Sequence, residues 1–371
     1  MKVERVEIHH VCLPMKKPFI TACGTIANRN LLIIRLFADG IVGLGECSAN
    51  VDPIYSPETI KGCTHIIEDF ILPSLLGKKI DDISEVASAM SHVVGNHMAK
   101  SAVELAFWDI MSRQKGVPIS SLLGGTKTRV DAGVSVGMFG TIEETIDEAR
   151  LQLAKGFARL KVKIQPGHDV QLISSLRDHL GDIQLMADAN SSYSLKQAGM
   201  LQALDPYRLT QIEQPLENDD IVDHAALQKI LRTPICLDES VVHARAVRQA
   251  IDLDACRIIN VKLARVSGLL EAKKIHDLCA KTGTGLWCGS MLESGVGMMY
   301  NIIYSSLPGV NQPGDIQESC HYMSDDIVEP MIVVARDGTF AVPAEPGIGV
   351  SLNWEKMRRY LVSSEVFRTH G

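Results

Sequence analysis

The sequence predicts an α/β protein: a parallel (β/α)-barrel preceded by a smaller α+β domain and followed by a short returning segment. Three observations predict it. From about Val130 onward, short and nearly all-apolar strands alternate with amphipathic stretches such as Thr141–Arg150, the pattern of a parallel sheet covered by helices on both faces. Seven or eight such units succeed one another in roughly 190 residues, the economy of a barrel. The Gly-rich phosphate turn that a doubly wound sheet would carry after its first strand is absent. The expected boundaries are 1–125 for the first domain, 126–320 for the barrel and 321–371 for the returning segment.

In the first domain Val3–Ile8, Leu31–Phe37 and Ile41–Cys47 read as strands, the last two joined at Ala38-Asp-Gly40, a hairpin signal. Met15–Asn28 lacks periodicity and carries Pro18 and Gly24, so a long irregular loop is expected there, the kind that often serves as a lid. Ala49–Tyr55 is a second, weaker lid candidate. Helices are expected near Glu58–Ile71, Ile83–Val94 and Ala99–Lys115, with Pro118–Gly125 as a linker. Barrel strands are expected at Ala132–Val136, Ala158–Ile164, Ile183–Asp188, Leu209–Gln214, Ile235–Asp238, Arg257–Leu263, Gly285–Cys288 and Asp315–Gln317. Gly338–Val342 and Trp354–Val362 are expected to be a strand and a helix that return to the first domain.

Composition narrows the function classes. Of 371 residues, 46% are hydrophobic and 22% charged, and the net charge is −7. That mild acidity argues against a nucleic-acid or anionic-membrane surface. Nine cysteines, with no Cys-x-x-Cys pair, read as reduced thiols of a reducing compartment. The N-terminal stretch has no apolar core of the signal-peptide type, and no apolar run is long enough to span a bilayer. A cytoplasmic protein is expected, homo-oligomeric and acting on a small molecule, without nucleic-acid or membrane partners.

The charges at the strand ends carry the chemistry. Lys163, Asp188, Glu213, Asp238 and Lys262 are spaced 25, 25, 25 and 24 residues apart, and each ends or nearly ends an apolar strand. One βα unit is about that long, so five consecutive units present one charge each at the C-terminal mouth of the barrel, where barrel enzymes hold their sites. Three adjacent carboxylates form an all-oxygen donor set suited to a hard divalent cation, Mg²⁺ before Zn²⁺ or Ca²⁺. Lys161 shares a face with Lys163 by the i, i+2 rule of strands. A divalent ion polarising a substrate carboxylate, with a neutral lysine taking the neighbouring proton, points to proton abstraction α to a carboxylate.

This pattern resembles the enolase superfamily, muconate-lactonising subgroup. The longer strings Lys161-Val-Lys-Ile-Gln-Pro-Gly167, Ala187-Asp-Ala-Asn190, Ile212-Glu-Gln-Pro-Leu216, Thr233-Pro-Ile-Cys-Leu-Asp-Glu-Ser240 and Trp287-Cys-Gly-Ser-Met-Leu-Glu293 resemble the o-succinylbenzoate synthases that are also N-succinylamino acid racemases. The resemblance spans essentially the whole chain. It implies an enolase-like capping domain on a modified barrel of TIM type, a bound Mg²⁺ or Mn²⁺, and an enediolate intermediate. Carried over by position, it implies Asp188, Glu213 and Asp238 as metal ligands and Lys163 and Lys262 as the acid/base pair. Lys161 would stabilise the enediolate, and Asn190 and Glu239 would orient substrate or ligands. Arg265 matches an arginine that accompanies racemase activity. Ser135, Gly289, Ser290, Met291 and Phe19, with Thr21 beside it, are the implied pocket. Where the group has Gly-Gly after the arginine and in the seventh-strand loop, this chain has Ser267-Gly268 and Gly289-Ser290, which implies a retuned pocket.

Other readings are weaker. Gly133-Val-Ser-Val-Gly137 fits a nucleophile elbow, but it falls within a strand and no strand end supplies a His. Trp108 and Trp287 read as packing residues, Asp109 as a structural hydrogen-bonding group, and His9-His10 as structural or solvated positions on an edge strand. Leu286-Trp-Cys288 lacks the His of mandelate-racemase-like enzymes. Asp315-Ile-Gln317 departs from the Asp-x-Asp of dipeptide epimerases. A dedicated N-acylamino acid racemase and a muconate cycloisomerase-like enzyme are the alternatives. An inactive scaffold would be expected to lack one of the lysines or carboxylates, and all are present.

Overall fold

The computed structural model describes residues 1–21 and 23–369. The cap begins with strands β1 (Val3–Thr21), β2 (Gly24–Ala38) and β3 (Ile41–Cys47), paired antiparallel in that order. Their apolar alternation puts Val6, Ile8, Ile34 and Leu36 among the fully or nearly fully buried residues, under the helix His97–Lys115. The close approach of that helix to β3 depends on glycine: a Cβ on Gly43 or Gly45 would meet the backbone oxygens of Ala106 or Ala102 at 2.1 and 1.9 Å.

The barrel strands follow as β4 (Arg129–Val136), β5 (Arg159–Lys163), β6 (Leu185–Asp188), β7 (Ile212–Glu213), β8 (Ile235–Leu237), β9 (Ile258–Val261), β10 (Gly285–Cys288) and β11 (Gly314–Asp315). They pair in parallel, neighbour to neighbour from β10 down to β4 and then to β11, so the sheet runs almost full circle. Register places Lys163 opposite Asp188 and Asp188 opposite Glu213. Adjacent functional side chains thus emerge at one level because the strands that carry them are in step.

Four expectations change. The segment Met15–Asn28 is not an irregular loop: β1 and β2 continue as a two-stranded arm in which Phe19 pairs with Ile26 and Ile20 with Thr25, after a register shift between Pro14 and Phe19. Ala22, within that segment, lies outside the described residues. The arm is held by backbone pairing rather than by a buried face, so no hydrophobic alternation announces it. Glu58–Ile71 is not one helix but Ile60–Ile66 followed by a π-turn over Ile67–Ile71. Near Gly338–Val342 the strand is Thr339–Ala341, and it pairs with β4 of the barrel instead of returning to the cap. What returns is an additional strand, Leu361–Arg368, which runs antiparallel to β1 and matches Arg5 with Arg368. It converts β1 from an edge into an inner strand, so His9 is buried, against Trp354 and Ser364.

Candidate active site

The mouth of the barrel gathers eleven charged or polar side chains from six strands or their ends and from three loops. Lys161 Nζ lies 2.6 Å from Asp315, 3.0 Å from Glu213 and 3.3 Å from Asp188. Lys163 Nζ donates to Asp188 at 2.6 Å and to Asn190 Oδ1 at 2.7 Å. Opposite, four strands away around the barrel, Lys262 Nζ donates to Asp238 at 2.8 Å and to the Tyr55 hydroxyl at 2.6 Å. Arg265 also reaches both Asp238 and the Tyr55 hydroxyl. Asn260 bridges the carboxylates, giving its amide to Glu213 at 2.7 Å and to Asp238 at 2.9 Å.

Local backbone fixes these positions. Asn190 adopts φ +41° just past β6, a left-handed turn that Asn tolerates. There its amide donates to Glu239 at 2.8 Å while its oxygen faces Lys163. Gln214, at φ +36°, accepts from the backbone N–H groups of Asp238 and Ser240 and so sets the turn after β8. Gly289 is required because a Cβ there would meet Asn260 at 2.4 Å. The residue expected in the pocket thus makes room for the carboxylate bridge beneath it.

The electrostatics are those of a buried pit in which five carboxylates are matched by five cations. Burial and the neighbouring Asp188 push the Glu213 carboxyl up to about 8. Burial together with Asp238 takes Glu239 to about 7. Burial acts the same way on Asp238, but Arg265 and Lys262 outweigh it and hold its carboxyl well below the usual range. For Lys161 burial is again opposed and outweighed, here by Asp315, Glu213 and Asp188, so it stays cationic. That suits a charge stabiliser rather than a base.

Lys161, Lys163, Asn190, Lys262 and Asp315 floor a cavity, with Asp188, Glu213 and Asp238 beneath them, and it is walled by Phe19, Thr21 and Cys23 of the arm, Tyr55 of the cap, Ser135 of β4, and Ser290, Met291 and Leu292 of the loop after β10. Ser135 faces it while donating to Asp315 at 3.0 Å. Arg265, Glu239 and Gly289 lie behind the wall. Ser267 is not in the pocket: at φ +69°, its hydroxyl meets His97 of the cap at 2.8 Å, turned away from the lysines. Sequence reasoning missed Tyr55 as a partner of Lys262, along with Arg159 and Asn260. The i, i+2 rule that paired Lys161 with Lys163 would have found both Arg159 and Asn260, two residues before Lys161 and Lys262. Tyr55 ends the second lid candidate, Ala49–Tyr55, and it does line the cavity, but nothing in the sequence ties it to Lys262, since it arrives from another domain.

Asp188, Glu213 and Asp238 offer the hard, all-oxygen chemistry of a divalent cation. Among the described residues no three acidic, His or Cys side chains stand arranged around a metal position, because lysine and asparagine nitrogens lie between the oxygens. Glu239 Oε2 and Asn260 Oδ1 are buried and lack any hydrogen-bond partner among the described residues, so these oxygens fit a further cation.

A capped parallel barrel with opposed lysines over a floor of carboxylates defines an enzyme that works on carbon acids. The chain belongs to the mandelate racemase/muconate lactonizing enzyme family: the N-terminal domain model of that family matches residues 4–124 and the enolase C-terminal domain-like model matches 144–356. It is an enzyme of the enolase superfamily, whose members in general depend on a divalent metal ion. It is 44% identical over 372 residues to the o-succinylbenzoate synthase of Bacillus subtilis strain 168, covering 100% of each chain. It is 41% identical over 352 residues to the N-succinylamino acid racemase of Thermus thermophilus, covering 95% of each. A solved enolase superfamily structure from Listeria innocua superposes with a TM-score of 0.95 at 38% identity, covering 99% of each chain. Among the described residues no helix is long and apolar enough to cross a membrane.

Proposed function

We propose that this enzyme dehydrates 2-succinyl-6-hydroxy-2,4-cyclohexadiene-1-carboxylate to o-succinylbenzoate, a step of menaquinone biosynthesis, and also racemises N-succinylamino acids. The observation that carries the reading is the placement of Lys163 and Lys262 on opposite sides of one cavity, each ammonium beside a floor carboxylate. Both substrates present a carboxylate next to an acidic C–H and carry a succinyl arm. In the dehydration, one lysine takes the proton from the carbon α to the carboxylate. The β-hydroxyl then leaves with a proton as water, and the ring becomes aromatic. In the racemisation, one lysine takes the α-proton and the other returns one to the opposite face. Lys161, held cationic by three carboxylates, stabilises the negative charge that builds on the substrate carboxylate.

Asp188, Glu213 and Asp238 would hold Mg²⁺ or Mn²⁺, which when bound supplies further electrophilic polarisation of that carboxylate. Asn190 and Glu239 orient Lys163 and the floor, and Arg265 orients Asp238 and Tyr55. Phe19, Ser135, Ser290 and Met291 contact the substrate, and Gly289 leaves space for the floor. The reading extends to a cytoplasmic homo-oligomer without nucleic-acid or membrane partners, and nine free cysteines support a reducing compartment.

The test is a paired assay of purified enzyme on both substrates with Mg²⁺ present. Turnover of both supports the reading. Racemisation without dehydration would leave a dedicated N-acylamino acid racemase. With both activities present, Arg265→Ala should lower racemisation more than dehydration, and equal losses would remove the link between Arg265 and the two-base reaction.

A further inference from the structure

Arg29 lies on β2 at the base of the arm, paired with Leu13, and is 1% exposed. Every hydrogen bond it donates ends on an uncharged oxygen. Nε donates to Leu292 O at 3.0 Å, and Nη1 donates to Ala49 O at 3.0 Å and Asn50 Oδ1 at 2.9 Å. Nη2 donates to Ser48 O. A buried cation with no carboxylate in ion-pair contact is a costly way to fill space, and an apolar side chain of similar volume would commonly serve stability as well or better. What Arg29 holds suggests another reason for it. Asn50 and Leu292 both line the catalytic cavity, and the arm that Arg29 roots supplies Phe19, Thr21 and Cys23 to the same cavity.

Leu292 strengthens the case. It sits at φ +57°, a left-handed conformation unfavourable for Leu. Its N–H is tied to Ser290 Oγ at 3.0 Å, and Glu293 gathers Ser290 Oγ at 2.7 Å and the Met291 N–H at 2.8 Å. The loop therefore turns back on itself and aims the Leu292 carbonyl at the guanidinium. Three wall segments far apart in sequence, the arm, Ser48–Asn50 and Ser290–Glu293, meet at one side chain.

We propose that Arg29 is a positioning residue that sets the width of the cavity around the acyl arm of the substrate, and so selects the acyl group. It touches none of the lysines or floor carboxylates in the hydrogen-bond network and acts only through the walls. The proposal rests on the reading of the substrates as succinyl-bearing carboxylates. A lysine cannot replace it, because a single ammonium lacks the planar fork that reaches four oxygens in three directions.

The experiment compares wild type, Arg29→Lys and Leu292→Gly, measuring kcat and KM for an N-succinyl and an N-acetyl derivative of one amino acid, with melting temperatures alongside. Arg29→Lys is expected to raise KM for the N-succinyl substrate by about 10-fold or more while kcat changes by less than about 3-fold, as lost positioning of a non-reacting group requires. The N-acetyl substrate, which reaches less of the wall, is expected to lose less. Leu292→Gly keeps the guanidinium and relieves the strained turn, and should shift the succinyl-to-acetyl ratio in the same direction. Equal losses on both substrates, tracking the fall in melting temperature, would make Arg29 merely structural and overturn the proposal. A wild type that turns over neither compound would instead overturn the racemase half of the functional reading, and the selection of the acyl group with it.

Discussion

At the scale of single residues, the two lysines differ in what surrounds them. Lys163 is held by Asp188 and Asn190, and Lys262 by Asp238 and the Tyr55 hydroxyl. Because they approach the cavity from strands across the barrel, each should serve one face of the α-carbon. With Lys163→Ala, deuterium exchange in D₂O should stop for one enantiomer of an N-succinylamino acid and persist for the other, and Lys262→Ala should show the reverse. Undiminished exchange of both enantiomers in either variant would sink the two-base assignment. The floor makes a second prediction. Asp238 accepts from Lys262, Arg265, Asn260 and Tyr55 at once, so Asp238→Asn changes a proposed metal ligand and its supporting shell together. Mg²⁺ affinity should fall by at least ~10-fold, read by calorimetric titration, and excess chelator should abolish turnover of the wild type. Full activity in chelator would exclude a metal role for these carboxylates.

At the scale of elements, legibility followed burial. The barrel strands could be read because both their faces are covered, which leaves short apolar runs with a charge at the end, and because parallel register repeats that charge every βα unit. The arm and the strand Leu361–Arg368 could not. Lys16-Lys-Pro18 and almost all of Leu361–Arg368 face solvent, so pairing alone holds them and no pattern of side chains betrays it. The joint between cap and barrel was equally silent, since its members are distant in sequence. There Glu46 of β3 accepts from Ser294 and Gly297 of the barrel, and Glu104 accepts from the Leu269 and Leu270 N–H groups at a helix start. Burial raises the Glu46 carboxyl to about 8 and the Glu104 carboxyl to about 7. A carboxyl raised above its unfolded value stabilises the fold fully at low pH, and that stability is lost as pH climbs through the folded value. Buried His97 and His321 have the opposite slope, but theirs ends near 6.5, the value they take when unfolded. Between pH ~6.5 and ~8.5 the falling contribution dominates, and in the metal-free protein Glu213 and Glu239 add to it, so unfolding free energy from denaturant titration should drop by at least about 1–2 kcal/mol. A flat or rising profile across that window would show that these carboxylates are ionised at neutral pH.

At the scale of the whole molecule, the chain closes on itself: Leu361–Arg368 pairs with β1, and the helix before it, Trp354–Tyr360, buries Met357 and lays Trp354 against His9 and under Arg35. The seal matters for catalysis because the cap is not an appendage of the barrel. It supplies Tyr55 to Lys262, the proposed second base, Phe19 and Arg29 to the walls, and a backbone carbonyl at Leu44 that accepts from Tyr300 of the barrel at 2.6 Å. Ending the chain after Asn353 would uncover the edge of β1 and remove a buried Met whose loss alone costs about 2–5 kcal/mol. The strand itself is nearly all exposed, so the damage should fall on the cap while the barrel core stays covered. The truncated protein is therefore expected to unfold in two steps by calorimetry, the cap first, where the full chain unfolds in one. With the cap loosened, the walls and the Tyr55 contact to Lys262 lose their positions, and turnover should drop by about 100-fold even below the first transition, in line with the cost of misplacing a site by about 1 Å. An exposed β1 edge should also make the truncated protein associate at high concentration. One transition at the full-length temperature, with undiminished turnover, would mean that the cap holds its shape without the returning strand.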